Sequence, residues 1–349
     1  MLGSNSELKE AAAPSQTHEK SPNKTTPAPT TDTVTTGNNS AFKNSILLTE
    51  KNGVGIHTGR QSSVSILRGA HEGIHFNFEA DGQAYDCPAL WERLSGTTRT
   101  TALVLRGESR RKIQVAMIEH FMAAAHIWRL DQIQAKIACE LGEADTVEFP
   151  ILDGSALEWC TSLTATTRVP NEQAVWVVTQ NYEHVDGDRR ISFNPTKNPV
   201  TEYSFEGLFG KIHQKTAFTM EWLSPAESQL NFLKRIAPAR TFGFLQEIEA
   251  LRARGLALGG TLDNALVIDG EKFINKGGER IENELASHKL LDAVGDLALA
   301  GKPIIGKIDL KASGHAFHLS ALRAAFENGC LQPGFLMADG RTIVACSNK

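Results

Sequence analysis

Three residues able to do chemistry, His288, Asp292 and Asp296, recur every four positions in the stretch Glu284–Leu297, ELASHKLLDAVGDL. The stretch holds good helix formers, no proline, and apolar residues at Leu291, Val294 and Leu297, so it predicts a helix. Each helical residue turns about 100°, which sets positions four apart about 40° from one another. The three polar side chains then form one stripe, a turn apart. A neutral imidazole and a carboxylate on such a stripe can take two corners of a tetrahedral zinc site, with nitrogen and oxygen both about 2.0–2.2 Å from the ion. The same spacing also describes an i,i+4 ion pair on a solvated helix face, worth only about 0.3–0.5 kcal/mol. The metal reading needs a third ligand from elsewhere in the chain.

A second pair supplies a candidate. Glu119 and His120 open the Ala-rich, largely apolar segment IEHFMAAAHIW at 118–128, which also predicts a helix. Charged residues are seldom buried unless they are paired or bind metal. Neighbouring helical positions point about 100° apart, so both side chains can flank one ion without Glu119 being a ligand. His126, later in the same segment, reads as a packing histidine. His57, inside the glycine-rich turn GVGIHTG at 53–59, either faces a site or caps the turn, and the structural role is the simpler one. No Lys-Ser/Thr follows that turn, so it is not a phosphate loop of the Walker type.

The elements that must position these groups form two similar runs. In the first, strand patterns at 46–48, 63–67, 74–78, 100–105 and 133–139 surround the helix at 118–128, which the stretch 113–117 precedes. The turn EFPILDGSA at 148–156 then opens a second helix, which Asp153 or Ser155 can cap. In the second run, strands at 174–178, 190–193, 201–205 and 303–310 surround the helix at 284–297. A further helix opens at the loop 314–318, and a helix–Gly–strand excursion at 246–268 reads as an insertion beside a cleft. The expectation is an α+β chain of mainly antiparallel sheets. Residues 1–42, rich in Thr, Ser, Pro, Asn, Lys and Ala, read as a disordered tail.

With 349 residues and 41% hydrophobic content, the chain can build two cores. A formal net charge of −4 argues against non-specific nucleic-acid binding. Its five cysteines form no CxxC pair, which suits free thiols in a reducing compartment. The chain has no apolar run of the roughly 18 residues that would span a bilayer, nor an apolar N-terminal leader. Together these give the expectation of a cytoplasmic protein.

The motifs GVGIHTG (53–59), IEHFMAA (118–124), EFPILDGSA (148–156), RTFGFLQEIEALRARGLALGG (240–260), HKLLDAVGD (288–296) and SGHA (313–316) occur in this order. As a set the chain resembles the UDP-3-O-acyl-N-acetylglucosamine deacetylase family, zinc hydrolases of lipid A synthesis. The resemblance covers about residues 44 to 345. It implies two α+β domains, 43–168 and 172–346, each a sheet on helices in a two-layer β-α-α-β sandwich, with the site between them. It makes His120, His288 and Asp292 the zinc ligands, which agrees with three protein ligands and one open position in a catalytic site. Glu119 becomes the general base, His315 the general acid oriented by Asp296, and Thr241 the donor to the oxyanion. Lys289 and Phe242 become substrate contacts. Ile248, Leu251, Leu256 and Leu258 of the inserted helix would wall an acyl passage, and Gly260 becomes a further substrate-binding residue. The implied partner is a UDP-linked acylated amino sugar, met by a monomer with at most peripheral membrane contact. With no dehydratase segment after residue 349, the single-activity form of the family is expected. A zinc amidohydrolase for another acylated amino sugar and a non-catalytic binding protein of the same fold are the alternative readings.

Overall fold

A computed structural model describes residues 45–344 except 70, 97–99, 109–110, 142–144 and 164–171. The expected tail, 1–42, lies outside the described residues.

Alternation decides the strands. In Gln61–Arg68 the side chains of Ser62, Val64 and Ile66 point inward while Ser63, Ser65 and Leu67 face outward or lie half-buried, the period of two that a half-covered sheet demands. This strand sits in a five-stranded sheet in the order Ile46–Val54, Gln61–Arg68, Ile133–Cys139, Ile74–Ala80, Gln83–Pro88. A four-stranded sheet, Leu94–Gly96, Ala102–Leu105, Ile113–Ala116 and Thr146–Glu148, completes the first half. In the second half Ile304–Lys311 is the central strand: it runs parallel to Glu172–Val178 and Val200–Phe209 and antiparallel to Arg189–Asn194. The pairs are mainly antiparallel and the fold is α+β, as expected.

Among the described residues, six α-helices pack on the sheets: α1 (Glu119–Ile127), α2 (Leu157–Leu163), α3 (Pro225–Arg235), α4 (Leu245–Ala253), α5 (Glu284–Leu297) and α6 (His315–Glu327). Helix α1 lies on the first sheet through Phe121, whose ring stands edge-on to Phe76 with centroids 6.3 Å apart. Helix α5 lies on the hairpin formed by Val200–Phe209 and Ile212–Glu221, and it also packs against α1 and α6. The order sheet, α1, α5, sheet brings the two halves face to face. Close approach of the two helices requires Gly295: a Cβ there would lie 2.0 Å from the Glu119 carbonyl oxygen. Met117, with φ +62, makes the left-handed turn from strand Ile113–Ala116 into α1.

Several elements escape the sequence pattern. Strand Ile212–Glu221 buries Gln214 as well as Phe218 and Met220, and a polar residue at an inward position blurs the alternation. The inserted excursion is longer than expected: Phe242–Phe244, Leu266–Asp269 and Lys272–Phe273 form a three-stranded sheet around α4.

Candidate metal and acid–base centre

The polar stripe of α5 is not solvated. His288 is 3%, Asp292 1% and Asp296 0% exposed, so the surface ion-pair alternative is wrong. Packing of α1 and α6 over this face removes it from solvent. The His288 Nδ1–H donates to the Ala239 carbonyl at 3.1 Å, leaving the Nε2 lone pair directed at Asp292 Oδ1, 3.4 Å away. From α1, His120 Nε2 reaches the same oxygen at 3.6 Å, with its ring at 89° to that of His288. Asp292 Oδ1 has no hydrogen-bond partner. A buried acceptor left unpaired ordinarily costs about 1–3 kcal/mol, and here two imidazole nitrogens converge on it. In a tetrahedron with bonds of about 2.0–2.1 Å, ligand atoms sit roughly 3.3–3.4 Å apart. The orphaned oxygen, the donor types and the spacing all fit a divalent cation held by His120, His288 and Asp292.

Asp296, His315 and His318 are also three close potential ligands, but their geometry is that of hydrogen bonds. Asp296 Oδ2 accepts Nδ1–H from His315 at 2.9 Å and from His318 at 2.7 Å, too short for ligands sharing an ion. The other nitrogen of His315, Nε2, lies 3.8 Å from Glu119 Oε1 and 3.7 Å from Asp292 Oδ2. The Glu119 carboxylate accepts the Thr100 hydroxyl at 2.9 and 3.1 Å and the Thr101 backbone N–H at 3.2 Å.

Electrostatics separate the two titrating groups. Burial pushes the Glu119 carboxyl above its ordinary range, although the charges of His315 and His120 act against it. Burial alone would lower His315, but the carboxylates of Asp296, Asp292 and Glu119 outweigh it and raise its pKa to about 9. His288 is pushed down to about 3, chiefly by burial, which keeps its nitrogen free of a proton. Asp292 is held well below the usual carboxylate range: burial opposes this, and the charges of His288, Lys289 and His315 prevail.

These groups form one wall of a cavity of about 600 Å³. Thr241 lies on it, with its backbone N–H bonded to the Gly154 carbonyl at 2.7 Å. Lys289 Nζ donates to Asp292 Oδ2 at 2.9 Å and stands 5.3 Å from the centre of the Phe242 ring. Ile248, Leu251 and Gly260 also line the cavity. Leu256 and Leu258 do not, which corrects the expectation for the inserted helix. Backbone pairing of Leu258 and Gly259 with the carbonyls of His57 and Ile56 turns Leu258 outward, 52% exposed. His57 lines the cavity, and its backbone N–H donates to Glu148 in shaping the turn, so both of the roles left open for it are seen. His126 packs edge-on against Trp222, as expected.

Sequence reasoning missed the supporting groups: Thr100, Thr101, the Ala239 carbonyl, His318 and the buried pair of Arg240 with Glu284. Glu284, 0% exposed, accepts from the Arg240 backbone at 2.9 Å and from its guanidinium at 2.8 and 3.0 Å, clamping the segment 239–241 to the start of α5. Only for His318, one turn after His315 on α6, did the sequence carry a signal.

Among known proteins, the family described as UDP-3-O-acyl N-acetylglycosamine deacetylase matches residues 46–327. A UDP-3-O-acyl-N-acetylglucosamine deacetylase of Campylobacter fetus is 38% identical over 206 residues, 58% of this chain and 66% of that protein, so the chain spans just under two thirds of its length. Proteins of the same description from Syntrophotalea carbinolica and Thermodesulfovibrio yellowstonii are 35% and 32% identical, covering 75% and 83% of this chain and 80% and 92% of theirs. With a match running from the first strand to the last helix, the chain belongs to the UDP-3-O-acyl N-acetylglycosamine deacetylase family.

Proposed function

We propose that the chain is a zinc-dependent hydrolase that removes the N-acetyl group from UDP-3-O-(3-hydroxyacyl)-N-acetylglucosamine, releasing acetate and the free amine, the committed step of lipid A biosynthesis. The observation that carries this reading is the unpartnered Asp292 oxygen facing His120 and His288, beside a carboxylate and an imidazole on one cavity wall. His120, His288 and Asp292 would hold the ion. Zinc, when bound, supplies a Lewis acid for the amide carbonyl and lowers the pKa of water.

The chain's own residues do the rest. Glu119 takes a proton from the attacking water as the C–O bond forms. The Thr241 hydroxyl donates to the carbonyl oxygen as it gains charge; a single preorganised donor of this kind is worth about 2.7–4 kcal/mol. The protonated His315 gives its Nε2 proton to the amine nitrogen as the C–N bond breaks, and Asp296 keeps the ring oriented. Base and acid with separated proton affinities on one wall are the requirement for cleaving an amide near neutral pH. Lys289 and Phe242 contact the sugar nucleotide, and Ile248, Leu251 and Gly260 contact the acyl chain. Residues 43–168 and 172–346 form two domains with the active site between them. The enzyme works in the cytoplasm as a monomer. Among the described residues no helix is long and apolar enough to cross a membrane.

The test is metal analysis of the purified chain paired with acetate release from the UDP-sugar with and without its 3-O-acyl chain. Chelation abolishes turnover and zinc restores it. A zinc-loaded chain that releases no acetate from the acylated sugar refutes the reading, and equal rates without the acyl chain refute the substrate assignment.

A further inference from the structure

Asp296 is held more completely than orientation of one histidine requires. Its Oδ2 accepts from His315 at 2.9 Å and from His318 at 2.7 Å, and its Oδ1 accepts the Thr101 hydroxyl. A carboxylate of this kind only accepts, so both histidines carry hydrogen on Nδ1. His318 Nε2 is then the acceptor for the Ser313 hydroxyl, 2.9 Å away, just before α6 begins. His318 is 0% exposed and does not reach the cavity.

We propose that His318 is a positioning residue of the deacetylation reaction: fixed by Ser313, it holds the Asp296 carboxylate in the plane that aims His315 at the leaving amine. The inference rests on the hydrolase reading above and goes beyond it. The terminal torsion of an aspartate is broad, so Asp296 is free to rotate unless its oxygens are pinned from outside. Thr101 pins one from the first half of the chain. His318 pins the other from the helix that carries His315, three positions on, so both rings share one acceptor with centroids 6.3 Å apart. The groups facing His315 are Asp296 and Asp292 on α5, Glu119 on α1, Thr101, and His318 itself. A tilt of the carboxylate would swing Nε2 away from the point between Glu119 and Asp292. Burial lowers the proton affinity of His318, consistent with a neutral ring that donates on one side and accepts on the other.

The test uses the full zinc-loaded chain and the acylated UDP-sugar. His318→Phe keeps a ring and removes the donor. Expected is a kcat lower by about 10- to 100-fold, the range for groups that orient a working side chain, with KM changed less than about twofold and zinc content unchanged. His318→Asn, which restores an amide donor, recovers part of the loss. Ser313→Ala loosens His318 without touching Asp296 and lowers kcat by a smaller factor; it serves equally should the Phe variant fail to fold. In a His315→Ala background, His318→Phe has no further effect, because a residue acting through another adds nothing once that one is gone. The proposal is overturned by wild-type kcat in His318→Phe, or in Ser313→Ala where the Phe variant does not fold. It is equally overturned by a loss of the same factor in the His315→Ala background, or by a loss confined to KM. A wild-type chain that carries zinc yet releases no acetate would instead bring down the hydrolase reading, and the positioning role with it.

Discussion

Substitution of Asp292 by asparagine tests the metal centre through stability rather than turnover. Asparagine keeps the shape and an acceptor for Lys289 but removes the charge that two imidazoles face. Zinc at 1,000 times its Kd stabilises the folded state by about 4.1 kcal/mol. Loss of an outer group that orients a ligand costs about 10- to 100-fold in metal affinity, so loss of a charged ligand itself falls at or above 100-fold. At the same zinc concentration the variant then retains about 1.4 kcal/mol, a difference of about 2.7 kcal/mol. Domains of 150–250 residues shift by about 2–4 °C per kcal/mol, and longer chains by less. The zinc-induced rise in Tm should therefore shrink by about 5 °C in the variant. Thermal melts with chelator and with added zinc, alongside metal content, measure this. An Asp292→Asn protein showing the wild-type zinc-linked shift refutes the assignment, whatever its activity.

Four further outcomes follow from the geometry. Glu119→Gln and His315→Ala should each lower kcat by about 10²–10⁴ with zinc retained. In the wild type, kcat/KM should climb as Glu119 loses its proton, at a pKa raised by burial, and fall as pH passes about 9, where His315 loses its own; a flat profile between these limits would remove the acid–base pair. Glu284→Ala leaves the Arg240 guanidinium without its partner and should destabilise by about 3–5 kcal/mol in urea unfolding, with weaker zinc binding because the Ala239 carbonyl is released. His126, half-buried beside Trp222 with its Nε2 atom out of solvent and unbonded, has its pKa lowered by desolvation from 6.5 to about 4. Between those values the unfolded chain binds the proton that the folded one refuses, so stability falls as pH drops from about 6.5 to about 4. The loss reaches about 3 kcal/mol. His126→Phe should flatten that part of the stability–pH curve, and an unchanged slope would contradict the neutral, desolvated ring.

The sequence by itself determined what is local. Four-residue spacing on a helix put His288, Asp292 and Asp296 on one stripe, because helical geometry needs only the chain's own hydrogen bonds. Alternation gave strands such as Gln61–Arg68, where one face is covered and the other is not. The same spacing fits a solvated ion pair, however, and only the packing of α1 and α6 over α5 decided that the stripe is buried. The supporting contacts were out of reach for a related reason. The Ala239 carbonyl meets His288 across 49 residues and Thr101 meets Asp296 across 195. A backbone carbonyl carries no sequence signature, and a threonine is ordinary until a buried carboxylate stands opposite it. Gly295 shows the limit most plainly: in sequence it is a weak point in a helix, and in the fold it is where the backbone of α1 comes closest, so that two helices from distant segments can bring His120 and His288 to one carboxylate.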